Sequence, residues 1–205
     1  MIKNIIFDLG GVIIDLHPEK TITEFSRICG ISLQELQNIL LNNRQIFIDY
    51  ETGRINSQEF RKGVLTILNH DIPEHDFACA WNSIIFDVPE ERIRMLEQLK
   101  KKYRLFLFSN INELHAQRVE EVLAASTVAS GLLGYFEKVY YSHLVNKRKP
   151  DEEAFWLVLR ENNLVPEETL FIDDMAENTK AAKKTGIQVL NVVRNHPELD
   201  FLLEN

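Results

Sequence analysis

The stretch Ile2-Lys3-Asn4-Ile5-Ile6-Phe7-Asp8-Leu9-Gly10-Gly11-Val12 reads as a buried strand that ends on a carboxylate and turns at once on two glycines. A run of apolar residues with little polar alternation suits a strand covered on both faces. The glycines let the backbone close around Asp8. A strand-end Asp before glycines also serves as an ordinary cap or turn residue. Its meaning therefore depends on what the rest of the chain brings beside it.

Working outward, later segments repeat the same local logic. Arg104-Leu105-Phe106-Leu107-Phe108-Ser109-Asn110 is an apolar run ending in a hydroxyl and an amide, and Thr169-Leu170-Phe171-Ile172-Asp173-Asp174 ends in two carboxylates. Lys149-Pro150-Asp151 supplies a cation just before a helix, with Pro150 expected in the first helical turn and Asp151 near its positive end. In a parallel α/β sheet the carboxyl ends of the strands face one crevice, so Asp8, Ser109, Lys149, Asp173 and Asp174 are expected to converge. Taken singly, each has a plainer reading: Asp173 and Asp174 as a helix-capping pair, Lys149 as one of the solvated run Lys147-Arg148-Lys149, Ser109 as a small turn residue.

The 205 residues suffice for one sizeable core with a smaller inserted subdomain. Hydrophobic residues make up 45% and charged residues 26%, the balance of a soluble globular chain. No apolar run is long enough to span a bilayer, and the N-terminus lacks a leader's long apolar region and small-residue cleavage site. This reads as a cytoplasmic protein with no membrane partner. Cys29 and Cys79 lack metal-ligand spacing and read as reduced packing residues. The net charge of -8 argues against nucleic acid as a partner. An anionic substrate then needs local positive charge, which Lys149 and a bound divalent cation would supply.

Between Asp8 and the strand beginning near Arg104, the segment from Leu16 to Val88 reads as helices. Phe25, Ile28 and Cys29 recur at helical spacing, Ser32 caps a helix carrying Glu35, and Ser57 opens another. A helical block interrupting a βαβ pattern is most simply a subdomain standing over the sheet. After Pro89 the chain alternates: a helix to about Lys100, the strand ending at Ser109, a helix from Asn112, a strand Lys138 to Ser142, a helix from Asp151, the strand ending at Asp173, a helix through Lys184 and a strand Ile187 to Val193, with Gly186 between the last two. The expected fold is α/β, a doubly wound parallel sheet with a helical insertion after strand one. Residues 1–15 and 89–205 form the core and 16–88 the inserted subdomain.

In order, Phe7-Asp8-Leu9-Gly10-Gly11-Val12, Ser109-Asn110, Lys149-Pro150 and Asp173-Asp174 with Asn178 behind them resemble the four motifs of the haloacid dehalogenase superfamily of hydrolases. The resemblance covers nearly the whole chain. Tyr50-Glu-Thr-Gly-Arg-Ile-Asn56 and Ser109-Asn-Ile-Asn-Glu-Leu-His115 extend it toward the branch containing bacterial glucose-1-phosphatases. The resemblance implies a Rossmann-like core, a helical cap and a phosphatase whose nucleophile is Asp8. A carboxylate attacking phosphorus forms an aspartyl phosphate that water later hydrolyses. The repelled dianion needs donors on its oxygens, for which Lys149, the Ser109 hydroxyl and the backbone N–H groups of Gly11 and Asn110 are the candidates. Mg²⁺ suits such an oxygen-rich strand end, with Asp8 and Asp174 as direct ligands. The resemblance adds the Gly10 carbonyl as a ligand, Asp173 acting through a metal-bound water, and Asn178 holding the loop. The expected partner is a small phosphorylated metabolite, a sugar 1-phosphate being one case.

One position departs from the pattern. Many phosphatases of the superfamily carry a second Asp two residues after the nucleophile, as general acid and base; here that residue is Gly10. Such a group contributes about 10²- to 10⁴-fold. Three readings follow: a phosphatase using another acid or an acidic leaving group, a metal-free 2-haloacid dehalogenase, or a non-catalytic phosphate-binding module. Asp15 and His17 are possible replacement acids or plain hinge residues. Arg44, Tyr50 and Trp81 in the insertion either face the pocket or serve packing and surface. If the insertion moves, its hinges are expected near Asp15 to Pro18 and Asp87 to Pro89.

Overall fold

The computed structural model describes residues 1–125, 134–196, 198–199 and 201–204, so a small part of the expected core half lies outside the described residues. Five strands, β1 (Asn4–Phe7), β2 (Arg104–Ser109), β3 (Lys138–Tyr141), β4 (Thr169–Asp173) and β5 (Gln188–Asn191), form one parallel sheet in the order β3-β2-β1-β4-β5. The chain builds outward from β1 on one side and then returns to the other. The topological switch point therefore lies between β1 and β4, where α/β sheets bind ligands.

Alternation along the strands divides the core in two. Ile5, Phe7, Leu105, Leu107 and Ile172 point to the face covered by α6 (Glu90–Leu99), α7 (Glu113–Ala125) and α11 (Phe201–Glu204). Ile6, Phe106, Phe108 and Phe171 point to the face covered by α9 (Glu152–Glu161) and α10 (Ala176–Lys184). Burial on both sides is why these strands read as continuous apolar runs.

The helices α1 (Pro18–Cys29), α2 (Leu33–Asn42), α3 (Arg44–Glu51), α4 (Ser57–Leu68) and α5 (Glu74–Asn82) share a third core around Phe25, Leu36, Tyr50, Phe60 and Phe77. Ser32 caps α2 as expected, its hydroxyl accepting the Glu35 N–H at 3.2 Å. α4 opens at Ser57 as expected, and its cap is Asn56, which forms a reciprocal capping box with Glu59. Pro150, by contrast, precedes α9 instead of lying in its first turn.

The segments entering and leaving this helical block are paired, not loose. Asp15 N–H donates to the Asp87 carbonyl at 2.8 Å, His17 N–H to Ile84 at 2.8 Å, and Phe86 N–H returns to Asp15 at 3.1 Å. On the opposite side, Ser142, which opens the short helix α8 (Ser142–Val145), donates to the Glu51 carbonyl at 2.6 Å. The Leu114 N–H donates to the Tyr50 hydroxyl at 3.1 Å. The two extended motifs noted in the sequence, around Tyr50 and His115, thus meet across this boundary. Among the described residues, no helix is long and apolar enough to cross a membrane.

Candidate active site

β1 and β4 run in register, Phe7 beside Ile172, which brings Asp8 level with Asp173. The Asp8 N–H extends the ladder to the Ile172 carbonyl at 2.9 Å. Lys149 reaches between the two strand ends: its Nζ lies 2.7 Å from Asp8 Oδ1 and 2.7 Å from Asp173 Oδ2. The lysine is only 1% exposed, with Phe108 and Phe171 rings beneath its ammonium at 5.4 and 5.3 Å. It is not a solvated member of its basic run. Burial opposes its charge, but the two carboxylates outweigh burial and hold its pKa above the ordinary value. Burial acts the other way on Asp8: against the pull of Lys149 and with the push of Asp173, it raises the carboxyl from 3.8 to about 7.

Asp173 is fully buried and saturated. Its Oδ1 accepts the Met175 N–H at 2.7 Å, and Asn178 Nδ2 lies 3.1 and 3.0 Å from its two oxygens. Asn178 is buried at the start of α10 and orients that carboxylate. Asp8, Asp173 and Asp174 offer oxygens all within 4.8 Å of one another. Asp174 is paired with Arg194, whose Nε donates to its Oδ2.

Ser109, at the end of β2, and Asn110 line the same cleft, which measures about 390 Å³. The Asn110 side chain brackets the lysine's backbone: Oδ1 accepts the Lys149 N–H at 2.9 Å and Nδ2 donates to the Lys149 carbonyl at 2.8 Å. One expected donor is corrected. The Gly11 N–H points back into its own turn and donates to Ile14 O at 2.7 Å, so it is committed to folding the loop rather than free for a ligand.

At Gly10 the space a side chain would need is filled. A Cβ there would run into Leu16 Cδ1, and Leu16 itself lines the cleft. Neither proposed replacement acid lines it. Asp15 is paired with the buried Arg92 at 2.8 Å, and His17 Nδ1 lies 2.8 Å from Glu19 and its ring packs on Phe86. Of the three residues considered in the insertion, Trp81 lines the cleft, Tyr50 is buried in the third core, and Arg44 is exposed away from it.

Trp81 stacks with both Phe47, 5.9 Å away, and His115, 4.8 Å away. His115 Nε2 donates to the Trp81 carbonyl at 3.0 Å and Nδ1 accepts from Asn112 at 3.0 Å, the network of a neutral ring. Burial lowers its pKa from 6.5 to about 4. Glu51 and Arg148, 2.8 Å apart, close the rim. Sequence reasoning missed Phe47, Glu51 and Arg194 and set Arg148 aside as surface. Arg194 had a signal, since it directly follows the strand Ile187 to Val193 that the sequence predicts, although β5 itself ends at Asn191. The helical residues had none.

A family model described as haloacid dehalogenase-like hydrolase matches residues 2–186. The D-ribitol-5-phosphate phosphatase of Bacteroides thetaiotaomicron is 28% identical over 188 residues, covering 92% of this chain and 90% of that enzyme. A crystal structure of a HAD family enzyme from Bacteroides thetaiotaomicron, a magnesium complex, covers 100% of this chain and 99% of its own, with 32% identity and a TM-score of 0.89. The wild-type form of that enzyme in complex with magnesium and inorganic phosphate covers 98% and 99%, with 32% identity and a TM-score of 0.88.

Proposed function

The chain belongs to the haloacid dehalogenase-like hydrolase family, and on that premise we propose that it hydrolyses a small phosphate ester, a phosphorylated polyol or sugar, through an aspartyl phosphate on Asp8. The observation that carries this reading is the buried bridge of Lys149 between Asp8 and Asp173, with Asp174 beside them on the floor of a cleft. The ribitol-5-phosphate phosphatase supports the substrate class. A sugar 1-phosphate is one member of that class.

Magnesium fits the donor set. Three carboxylates share a pocket with one buried lysine, and hard oxygen donors are what the ion takes. Asp8, Asp174 and the Gly10 carbonyl would hold it directly and Asp173 through water. Bound there, it supplies charge neutralisation for the phosphoryl oxygens.

Asp8 attacks phosphorus as its carboxylate while the ester oxygen departs. Lys149 aims that carboxylate and neutralises charge, and the Ser109 hydroxyl and Asn110 N–H take phosphoryl oxygens. With Leu16 where an acid would stand beside Gly10, the leaving oxygen draws its proton from solvent. A second reading, displacement of halide without metal, is disfavoured by the same floor, where an anionic haloacid would meet the carboxylates of Asp8 and Asp174 with Asp173 buried behind them. We further read residues 16–88 as a cap whose Phe47, Glu51 and Trp81 select the organic part of the substrate.

The test is phosphate release from an aryl phosphate, a sugar 1-phosphate and a pentitol 5-phosphate, with Mg²⁺ or excess chelator, in wild type and Asp8→Asn. The expected result is release that needs both Mg²⁺ and Asp8, fastest for the aryl ester. Release that survives Asp8→Asn contradicts the proposal.

A further inference from the structure

Arg194 lies just past β5 on a turn, Val193 to His196, closed by the His196 N–H on the Val193 carbonyl at 3.0 Å, with Asn195 at φ 63. The backbone of this turn is pinned to the nucleophile loop. Asn195 N–H donates to Gly11 O at 2.8 Å, its side-chain amide pairs with both backbone groups of Leu16 at 3.0 and 2.9 Å, and its carbonyl accepts from Arg92 at 2.5 Å. What is left to move is the Arg194 side chain, 40% exposed, while its partner Asp174 is 3% exposed.

Its path to Asp174 crosses bare backbone. At Gly11, φ +75, a Cβ would lie 2.8 Å from Arg194 Cγ and 3.1 Å from Asp174 Oδ2. Any side chain there would obstruct the pair. Nη2 meanwhile lies 3.2 Å from Met175 Sδ, a weak acceptor that holds the guanidinium loosely.

The charges on the floor divide cleanly. Lys149 contacts Asp8 and Asp173, and Arg194 contacts Asp174. Resting on the metal reading above, we propose that Arg194 is the counter-cation of Asp174 until a divalent ion replaces it, and that the released guanidinium then binds the substrate's phosphate in the same cleft. A divalent ion held by Asp174 would repel the guanidinium that now occupies the same carboxylate. With the ion, Lys149 and Arg194 together, the floor carries net positive charge toward the cleft. A planar guanidinium fork matches phosphate oxygens in pairs, which a lysine ammonium does not.

The test is calorimetric titration of Mg²⁺ alone, then of inorganic phosphate into Mg²⁺-saturated protein, for wild type, Arg194→Ala, Arg194→Lys and Asp174→Asn, with thermal melts for folding. Removing the competing guanidinium should tighten Mg²⁺ binding about three- to tenfold in Arg194→Ala and weaken phosphate binding by a similar factor, Arg194→Lys falling between on phosphate. Opposite signs are the signature. Unchanged affinities in Arg194→Ala, or loss of both together, as from a merely structural role, overturn the proposal. If Asp174→Asn binds Mg²⁺ like wild type, the metal reading fails and takes this with it. If Asp174→Asn loses Mg²⁺ while Arg194→Ala matches wild type, only the role of Arg194 fails.

Discussion

On the floor of the cleft, Asp8 and Asp173 are buried and joined through the Lys149 ammonium by charged hydrogen bonds, whereas on its wall Phe47, Trp81 and His115 are held by ring stacking and neutral hydrogen bonds and Glu51 by a partly exposed ion pair. The two carboxylates of the floor sit at strand ends that the β1–β4 register holds level, and Lys149 reaches between them from the loop joining α8 to α9. The wall comes mostly from helices that have their own core and touch the sheet half through a few side chains, with His115 joining it from α7. On the function proposed above, chemistry is concentrated where geometry is over-determined, and selection of the organic part of the substrate falls where packing is freer to vary.

The comparison predicts that floor substitutions are severe and wall substitutions selective. Lys149→Met leaves two buried carboxylates unpaired and should cost about 3–5 kcal/mol in denaturant unfolding, together with all turnover. Asp8→Asn keeps the fold while lowering turnover by more than about 10³-fold, measured by phosphate release. A Lys149→Met protein as stable as wild type would show that the floor is not an electrostatic unit.

On the wall, Trp81→Ala should destabilise by roughly 2–3 kcal/mol, less than truncating a fully buried ring because Trp81 keeps some exposure. Its kinetic effect should fall on KM for the organic phosphate, with inhibition by inorganic phosphate unchanged. Equal losses for both ligands would merge wall and floor into one site.

His115 adds a pH signature at the boundary. Its folded pKa, about 4, lies below the ordinary 6.5, so the fold prefers the neutral ring. Its contribution is fully present above pH 6.5 and is lost as pH falls from 6.5 through about 4. Thermal melts across that window should show a steeper decline in wild type than in His115→Gln. Parallel curves would remove His115 from the account. The smallest effect belongs to the rim: Glu51→Gln should change stability by less than about 1 kcal/mol, since the Glu51–Arg148 pair is partly solvated.

The same contrast explains what the sequence made legible. Strand ends announce themselves by an apolar run stopping at a polar residue, which is how Asp8, Ser109 and the Asp173-Asp174 pair were found and why Arg194, beyond β5, was findable by the same rule. The Gly11 N–H was misassigned because a glycine's freedom is visible in sequence while the direction of its N–H depends on where Ile14 folds back. The missing acid at Gly10 was legible, but Leu16 as its occupant was not, since that contact follows from how the turn closes. Phe47 and Glu51 are spaced like any helical packing residues, and only the docking of α3 against α8 brings them to the cleft.

The central claim is a covalent phosphoryl group on Asp8. The direct measurement is acid quenching within the first turnover of an aryl phosphate in Mg²⁺, followed by peptide mass spectrometry of the segment containing Asp8. The account predicts that this peptide gains the mass of one phosphoryl group, that the mass is lost on reduction or hydroxylamine treatment, and that Asp8→Asn never gains it. Rapid phosphate release with the Asp8 peptide unmodified at every quench time, or modification of another residue that persists in Asp8→Asn, would contradict it.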